Sequence, residues 1–127
     1  MTGPDADADV RVELGPLAAP VLSRVMSALA ARADLPLDRV SEAGLLGDAV
    51  AAHALPRVDD GFVRLVVSAR RGELVVRVGP LLDGGAEGLL RDSDLPELGS
   101  VIRRLSDDVG MEEVDGREHL VLRLVAA

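Results

Sequence analysis

Two histidines and two pairs of adjacent aspartates are the residues of this chain that could do chemistry. The pairs Asp59-Asp60 and Asp107-Asp108 offer carboxylates to a metal ion, but they stand beside turn signals, where Asp commonly bonds to the backbone. His53 and His119 are far apart in sequence and no motif places carboxylates beside them, so they predict no metal site. No Ser stands with a His in a recognisable nucleophile motif. The residue types and spacings therefore predict neither catalytic residues nor a metal site.

His53 belongs to a segment, residues 35–55, that reads as the central helix of the chain. Pro36 and Asp38 suit a first helical turn, and Pro56 ends the run. Apolar positions recur at intervals of three and four and predict one buried face, made of Ala43, Leu46, Ala49, Val50, His53 and Ala54. A histidine on such a face is more often a partly buried side chain with one hydrogen-bonded ring nitrogen than a metal or cofactor ligand.

The composition excludes several classes of partner. Fourteen Arg against 22 Asp and Glu give a net charge of −8, and one Phe is the only aromatic residue, so a nucleic-acid surface is not expected. Without Cys there is no disulfide framework, and no apolar run has the length of a membrane span. We expect a soluble cytoplasmic protein, and the absence of Lys, Asn, Gln, Tyr and Trp suggests a GC-rich genome.

Paired arginines are the remaining charged features. Arg70-Arg71 stands at a predicted turn and Arg103-Arg104 on a predicted helix, where both pairs are most simply solvated charges. The alternative for Arg103 and Arg104 is contact with a protein partner.

Hydrophobic periodicity predicts a flexible acidic tail over residues 1–9 and a single domain over 10–127. The first predicted elements are a strand over 10–14, helices over 20–33 and 35–55, and a hairpin over 62–78 that turns at Arg71-Gly72. A long loop with room for one helical turn follows over 79–94. The last elements are a helix that is capped by Asp94 and Glu97 and ends at 105, and a hairpin that turns at Asp115-Gly116. This order predicts an α+β fold, a two-layer α/β sandwich with helices on one face of a mostly antiparallel mixed sheet.

Two stretches resemble the anti-sigma-factor serine kinases of bacteria, members of the histidine-kinase-like ATPases with the Bergerat fold. GSVIRRLSDDVGMEEVDGREHLVLRL, residues 99–124, is similar to the final helix and last two strands of that family, and LPLDRVSEAGLLGDAVAAHA, residues 35–54, aligns without gaps to its second helix. The resemblance implies this fold, an ATP site with magnesium, and a sigma factor or anti-anti-sigma factor as partner. It also implies a possible homodimer.

The motifs that the resemblance assigns to ATP are degenerate in this chain. The Glu that polarises the attacking hydroxyl corresponds to Ala49, and the Asn that holds magnesium corresponds to His53. Gly79 stands where an Asp should accept the adenine amino group, and Asp83 follows four residues later. The glycine-rich lid keeps Gly99 but carries Glu97, whose charge would repel phosphate. We therefore expect a vestigial nucleotide pocket with no cofactor.

Three functions follow from these observations. The first is an anti-sigma-factor-like domain that binds a protein partner and has lost ATP binding and kinase activity. The second is an active ATP-dependent serine kinase of an anti-anti-sigma factor, in which His53 and Asp83 replace the missing groups. The third is a small interaction module unrelated to sigma regulation.

Overall fold

The computed structural model describes residues 7–126, which form one α+β unit. Its elements in chain order are β1 (Ala8–Glu13), α1 (Ala18–Arg32), α2 (Leu37–His53), a 3₁₀ turn (Leu55–Arg57), β2 (Phe62–Arg70), β3 (Glu73–Leu81), α3 (Gly85–Asp92), β4 (Asp94–Leu95), β5 (Gly99–Ser100), α4 (Val101–Leu105), β6 (Asp108–Val114) and β7 (Arg117–Val125). Within the described residues, no helix is both long enough and apolar enough to cross a membrane.

The main sheet has five strands in the order β1-β2-β3-β7-β6. Every neighbouring pair in it is antiparallel. The α+β class is therefore confirmed, but the prediction of a mixed sheet is wrong for the described residues. A separate short ladder pairs β4 with β5.

The core lies between the helices and one face of this sheet. The three central strands β2, β3 and β7 alternate as the sequence predicts, and their inward side chains are at most 1% exposed: Val63, Leu65, Val67, Leu74, Val76, Val78, Leu120, Leu122 and Leu124. Arg64 and Arg77 point from the opposite face, where they pair with Asp9 and Glu112. The sheet thus has one apolar face and one charged face, as expected for an antiparallel sheet covered on one side.

Helix α2 packs against α1 through two glycines. It begins at Leu37, with Pro36 at the N-cap position, and ends at His53, so it is shorter at each end than the predicted 35–55. A Cβ on Gly47 would lie 2.6 Å from the Leu22 carbonyl carbon and oxygen of α1, and a Cβ on Gly44 would lie 2.6 Å from the Ser27 hydroxyl. The glycines allow the two helix backbones to approach closely.

The first strand begins earlier than the alternation at Val10 indicates. β1 starts at Ala8, and the Asp7 amide already donates a hydrogen bond to the Val67 carbonyl at 2.7 Å. The predicted tail over residues 1–9 is therefore wrong for Ala8 and Asp9, and residues 1–6 lie outside the described part of the chain. The sequence pattern missed this start because Asp9 faces the charged side of the sheet, where Arg64 holds it.

The segment 79–94 is not the predicted long loop. β3 continues to Leu81, and α3 occupies Gly85–Asp92 with Leu89 and Leu90 buried. The start of α3 is held by the Glu118 carboxylate of β7, which accepts hydrogen bonds from the Gly84 and Ala86 amides at 2.7 and 3.2 Å. This cap comes from a distant strand and leaves no local signal in the sequence.

The next helix is also shorter than predicted. Asp94 lies in β4 rather than at a helix cap, and α4 spans only Val101–Leu105. Its N-cap is Ser100, whose hydroxyl accepts a hydrogen bond from the Arg103 amide at 3.3 Å. The spacing of Asp94 and Glu97 imitates a capping pair, but Glu97 adopts a positive φ of 67° between β4 and β5, which ends any helix there.

Candidate functional site

A groove of about 420 Å³ runs along one flank of α2 and is the candidate site, hereafter the α2 groove. One wall is α2; the other is the end of α3 with β4 and α4. The lining side chains are Leu45, Asp48, Ala49, Ala52 and His53 on the α2 wall and Asp92, Ser93, Asp94, Leu95, Val101 and Leu105 on the opposite wall. Most of the surface between these walls is apolar.

The opposite wall is held together by two serines. The Ser93 and Ser100 hydroxyls are 2.8 Å apart, both side chains are buried, and the Ser93 hydroxyl also donates to the Leu90 carbonyl at 2.9 Å. The Val101 amide donates to the Ser93 carbonyl at 3.0 Å. These hydrogen bonds connect β4, β5 and α4 to the end of α3, and they hold the backbone that carries Leu95 and Val101.

Three aspartates, Asp48, Asp92 and Asp94, line the α2 groove. Asp92 is neutralised by Arg57, whose Nε and Nη2 atoms donate to one carboxylate oxygen at 2.9 and 2.6 Å. Asp48 and Asp94 are exposed and form none of the salt bridges found within residues 7–126. No arginine is among the described residues that line the groove.

The five positions that the resemblance assigns to nucleotide binding do not meet at one place. Ala49 and His53 lie together on the α2 wall, half-buried on the flank of the helix rather than at the centre of its buried face. Asp83 is exposed between β3 and α3, and Gly99 is exposed in β5. Asp83, Gly79 and Gly99 do not line the groove.

Gly79 lies on the charged face of the sheet, on the other side from the α2 groove. It helps to line a second cavity of about 340 Å³, with Arg64, Arg77, Arg117 and His119 among its neighbours. A Cβ on Gly79 would lie 2.6 Å from the His119 ring, so the glycine leaves space for the imidazole. Gly79 therefore packs against His119 in this structure.

His119 is an outward-facing strand residue, as predicted. Its Nδ1 atom lies 3.2 Å from the Arg117 carbonyl. Burial lowers the pKa of His119 below its ordinary value, and the nearby Arg77 guanidinium acts in the same direction. The hydrogen bond from Arg77 lowers the pKa of the Glu112 carboxyl. The lowered pKa of His119 favours its neutral form, which fits a structural role beside the Arg77–Glu112 ion pair.

The aspartate pairs serve turns and ion pairs. Asp60 accepts a hydrogen bond from the Phe62 amide at 3.0 Å, and Asp107 accepts one from the Val125 amide at 2.8 Å. Asp59 pairs with Arg117 and Asp107 with Arg39. In the part of the chain that the structure describes, no group of three His, Cys, Asp or Glu residues could hold a metal ion.

The arginine pairs lie outside the groove. Arg70 pairs with Asp7, and Arg71 lies 3.9 Å from Asp34, so this pair sits in solvated turn surroundings. Arg103 and Arg104 are both exposed on α4, and Arg103 lines a shallow cleft that adjoins the groove and includes Arg91 and Asp94. Contact of Arg103 and Arg104 with a partner stays a prediction.

Sequence reasoning missed the two leucines that make the groove apolar. Leu45 lies on α2 outside the predicted buried stripe and is 52% exposed, and Leu95 in β4 is 46% exposed. The signal in the sequence was Leu45, an apolar side chain on the polar side of an amphipathic helix. Such a residue indicates a binding surface only when a second apolar surface lies opposite it.

A comparison with protein-family models finds no match to this chain, and a comparison with curated proteins finds no related sequence.

Proposed function

We propose that this domain is an anti-sigma-factor-like regulator that binds a protein partner and neither binds ATP nor transfers phosphate. Its partner would be a sigma factor or an anti-anti-sigma factor, as the resemblance of residues 35–54 and 99–124 implies. The observation that carries the proposal is the chemistry of the α2 groove, which pairs apolar walls with exposed carboxylates.

The groove does not fit a magnesium nucleotide. The two α2 positions that the resemblance assigns to the reaction are Ala49, which has no base, and His53, whose nitrogen is a poor ligand for a hard cation that selects oxygen. Asp48 and Asp94 also line the groove, and their negative charge opposes the binding of phosphate groups there. These features argue against the kinase alternative.

Backbone amides for phosphate are also scarce at the start of α4. The Val101 amide already donates to Ser93 and the Arg103 amide to Ser100. With five residues, α4 has too few aligned peptide groups for a strong positive end. No specific observation favours catalysis over binding.

Titration calorimetry with magnesium ATP and ADP up to about 1 mM is expected to show no saturable heat. Each lost hydrogen bond to a charged group costs about 1.5 to 3 kcal/mol, and every 1.4 kcal/mol is roughly tenfold in affinity, so losing several moves a micromolar site beyond the millimolar range. The melting temperature should not change either, because a ligand far below its dissociation constant adds almost no stability.

The informative control is Asp83→Ala. A saturable isotherm in the micromolar range that is lost in this variant would show that Asp83 contributes to a nucleotide site, and it would favour the active kinase. An isotherm that Asp83→Ala leaves unchanged would also contradict the proposed loss of ATP binding.

Association with a sigma factor from the same genome is expected to slow as ionic strength rises to about 0.15 M, where charges more than roughly 8 Å apart are largely screened. The chain carries a net charge of −8, and a basic partner surface would be steered towards it. Stopped-flow measurements over a salt series test this. An association rate independent of salt would contradict the electrostatic part of the proposal, and an absence of binding to both sigma and anti-anti-sigma factors would contradict the partner class.

A further inference from the structure

We infer that the α2 groove is a docking site for a partner segment whose apolar side chains are flanked by Arg or Lys. This inference rests on the proposed protein-binding function and names the surface and the chemistry of the partner. The surface is distinct from Arg103 and Arg104, which do not line the groove.

The shape of the groove suits apolar side chains. Leu45 and Leu95 stand on opposite walls and are each about half exposed, while Ala49 and Ala52 leave space between them. Val101 and Leu105 continue the apolar surface along α4. A segment laid between the walls would cover both leucines without displacing a buried side chain.

The charged side chains of the groove favour a cationic partner segment over an anionic one. Asp48 and Asp94 are exposed at the groove and form none of the salt bridges found among residues 7–126. Asp94 also lines a cleft with Arg91 and Arg103, so Asp48 is the carboxylate that a cationic side chain flanking the docked segment would meet first. A second copy of this chain is disfavoured, because it also carries a net charge of −8. A phosphate-bearing ligand meets the same repulsion.

Hydrogen bonds and an ion pair hold the wall opposite α2 to the rest of the fold. The contact between the buried Ser93 and Ser100 hydroxyls and the hydrogen bond from the Val101 amide to the Ser93 carbonyl join the end of α3 to β5 and α4. The Arg57–Asp92 ion pair joins the end of α3 to the 3₁₀ turn. Docking therefore requires little ordering of the protein, which favours affinity.

The test uses the full chain and a fluorescent helical peptide of about 15 residues with Leu on one face and Arg on the other, near the length at which isolated helices form. Two control peptides have Glu in place of Arg, or Ser in place of Leu. Fluorescence anisotropy should show that the Leu and Arg peptide binds at least about tenfold more tightly than either control, a difference of about 1.4 kcal/mol.

Two variants place the binding site. Leu45→Arg puts a bulky cation on the α2 wall, and Leu95→Arg does the same on the opposite wall. Leu37→Arg is the matched control, because Leu37 is 81% exposed at the start of the same helix and does not line the groove. Each groove variant should weaken peptide binding at least about tenfold, whereas Leu37→Arg should leave it nearly unchanged.

Several results would overturn the inference. Equal losses in Leu37→Arg and Leu45→Arg would mean that binding follows net charge alone, and equal binding of the Ser control peptide would exclude apolar docking. Dimerisation of the unmodified chain in analytical ultracentrifugation that Leu45→Arg abolishes would identify a second copy as the occupant.

A sigma-factor measurement separates this inference from the proposed function. If the sigma factor binds the unmodified chain and binds Leu45→Arg and Leu95→Arg equally well, the proposed function stands and the groove is not the docking site. If no sigma or anti-anti-sigma factor binds while the peptide result holds, the groove stands and the partner class is wrong.

Discussion

Replacing Leu46 by alanine is expected to lower the free energy of unfolding by about 2 to 5 kcal/mol, a large part of the stability of a small domain. Leu46 is fully buried on α2, and it belongs to the core between that helix and the inner face of the sheet. The truncation removes apolar surface from the core and leaves a cavity that close-packed neighbours fill only partly. Chemical denaturation followed by circular dichroism measures the loss.

Asp48→Ala is the matched control, because it changes an exposed side chain only two positions along the same helix. Its effect on the free energy of unfolding should stay within about 0.5 kcal/mol, as is usual for surface substitutions. Equal losses in Leu46→Ala and Asp48→Ala would mean that a different face of α2 is buried.

The central strands and the last hairpin were predictable because their signals are local. Alternation of Leu120, Leu122 and Leu124 with His119, Val121 and Arg123 assigns one face of β7 to the core, and the structure confirms it. Asp115-Gly116 takes positive φ values of 53° and 77°, which the Asp-Gly pair predicts for a tight hairpin turn. Each of these features depends on residues that are close in sequence.

The region between β3 and β6 was not predictable because distant residues determine it. Glu118 holds the start of α3, and Arg57 pairs with Asp92 at its end, although each lies more than 25 residues from its partner. Three glycines in the interior of the segment, Gly84, Gly85 and Gly88, also lower its helix propensity and make a helix hard to recognise. The helix α3 is thus a product of tertiary contacts.

The candidate site was half predictable. Ala49 and His53 follow from the alignment of α2, and the structure brings them together on one wall. The opposite wall depends on the pairing of β4 with β5 and on the contact between Ser93 and Ser100, which no short-range pattern announces. The predicted buried stripe also included Ala49 and His53, because helical periodicity cannot distinguish the centre of a buried face from its edge.

The close approach of the α1 and α2 backbones predicts a second large loss of stability, caused by adding a side chain between them. Gly47→Ala is expected to lower the free energy of unfolding by about 1 to 3 kcal/mol, the usual cost of overpacking, even though alanine favours an isolated helix over glycine by about 1 kcal/mol. The new Cβ would lie 2.6 Å from the Leu22 carbonyl and 2.8 Å from the Ser23 amide nitrogen. Both are backbone atoms, so relief requires α1 and α2 to move apart.

Gly44→Ala distinguishes this backbone contact from a general intolerance of side chains between the helices. Its Cβ would lie 2.6 Å from the Ser27 hydroxyl and 3.2 Å from the Ser23 hydroxyl, and both hydroxyls can turn away by rotation about one bond. We therefore expect Gly44→Ala to destabilise the protein less than Gly47→Ala when both are measured by denaturant unfolding. If Gly47→Ala were as stable as the unmodified chain, α1 and α2 would have to lie farther apart than this packing allows. Contact with α1 would then no longer determine that the face of α2 bearing Leu46 points into the core.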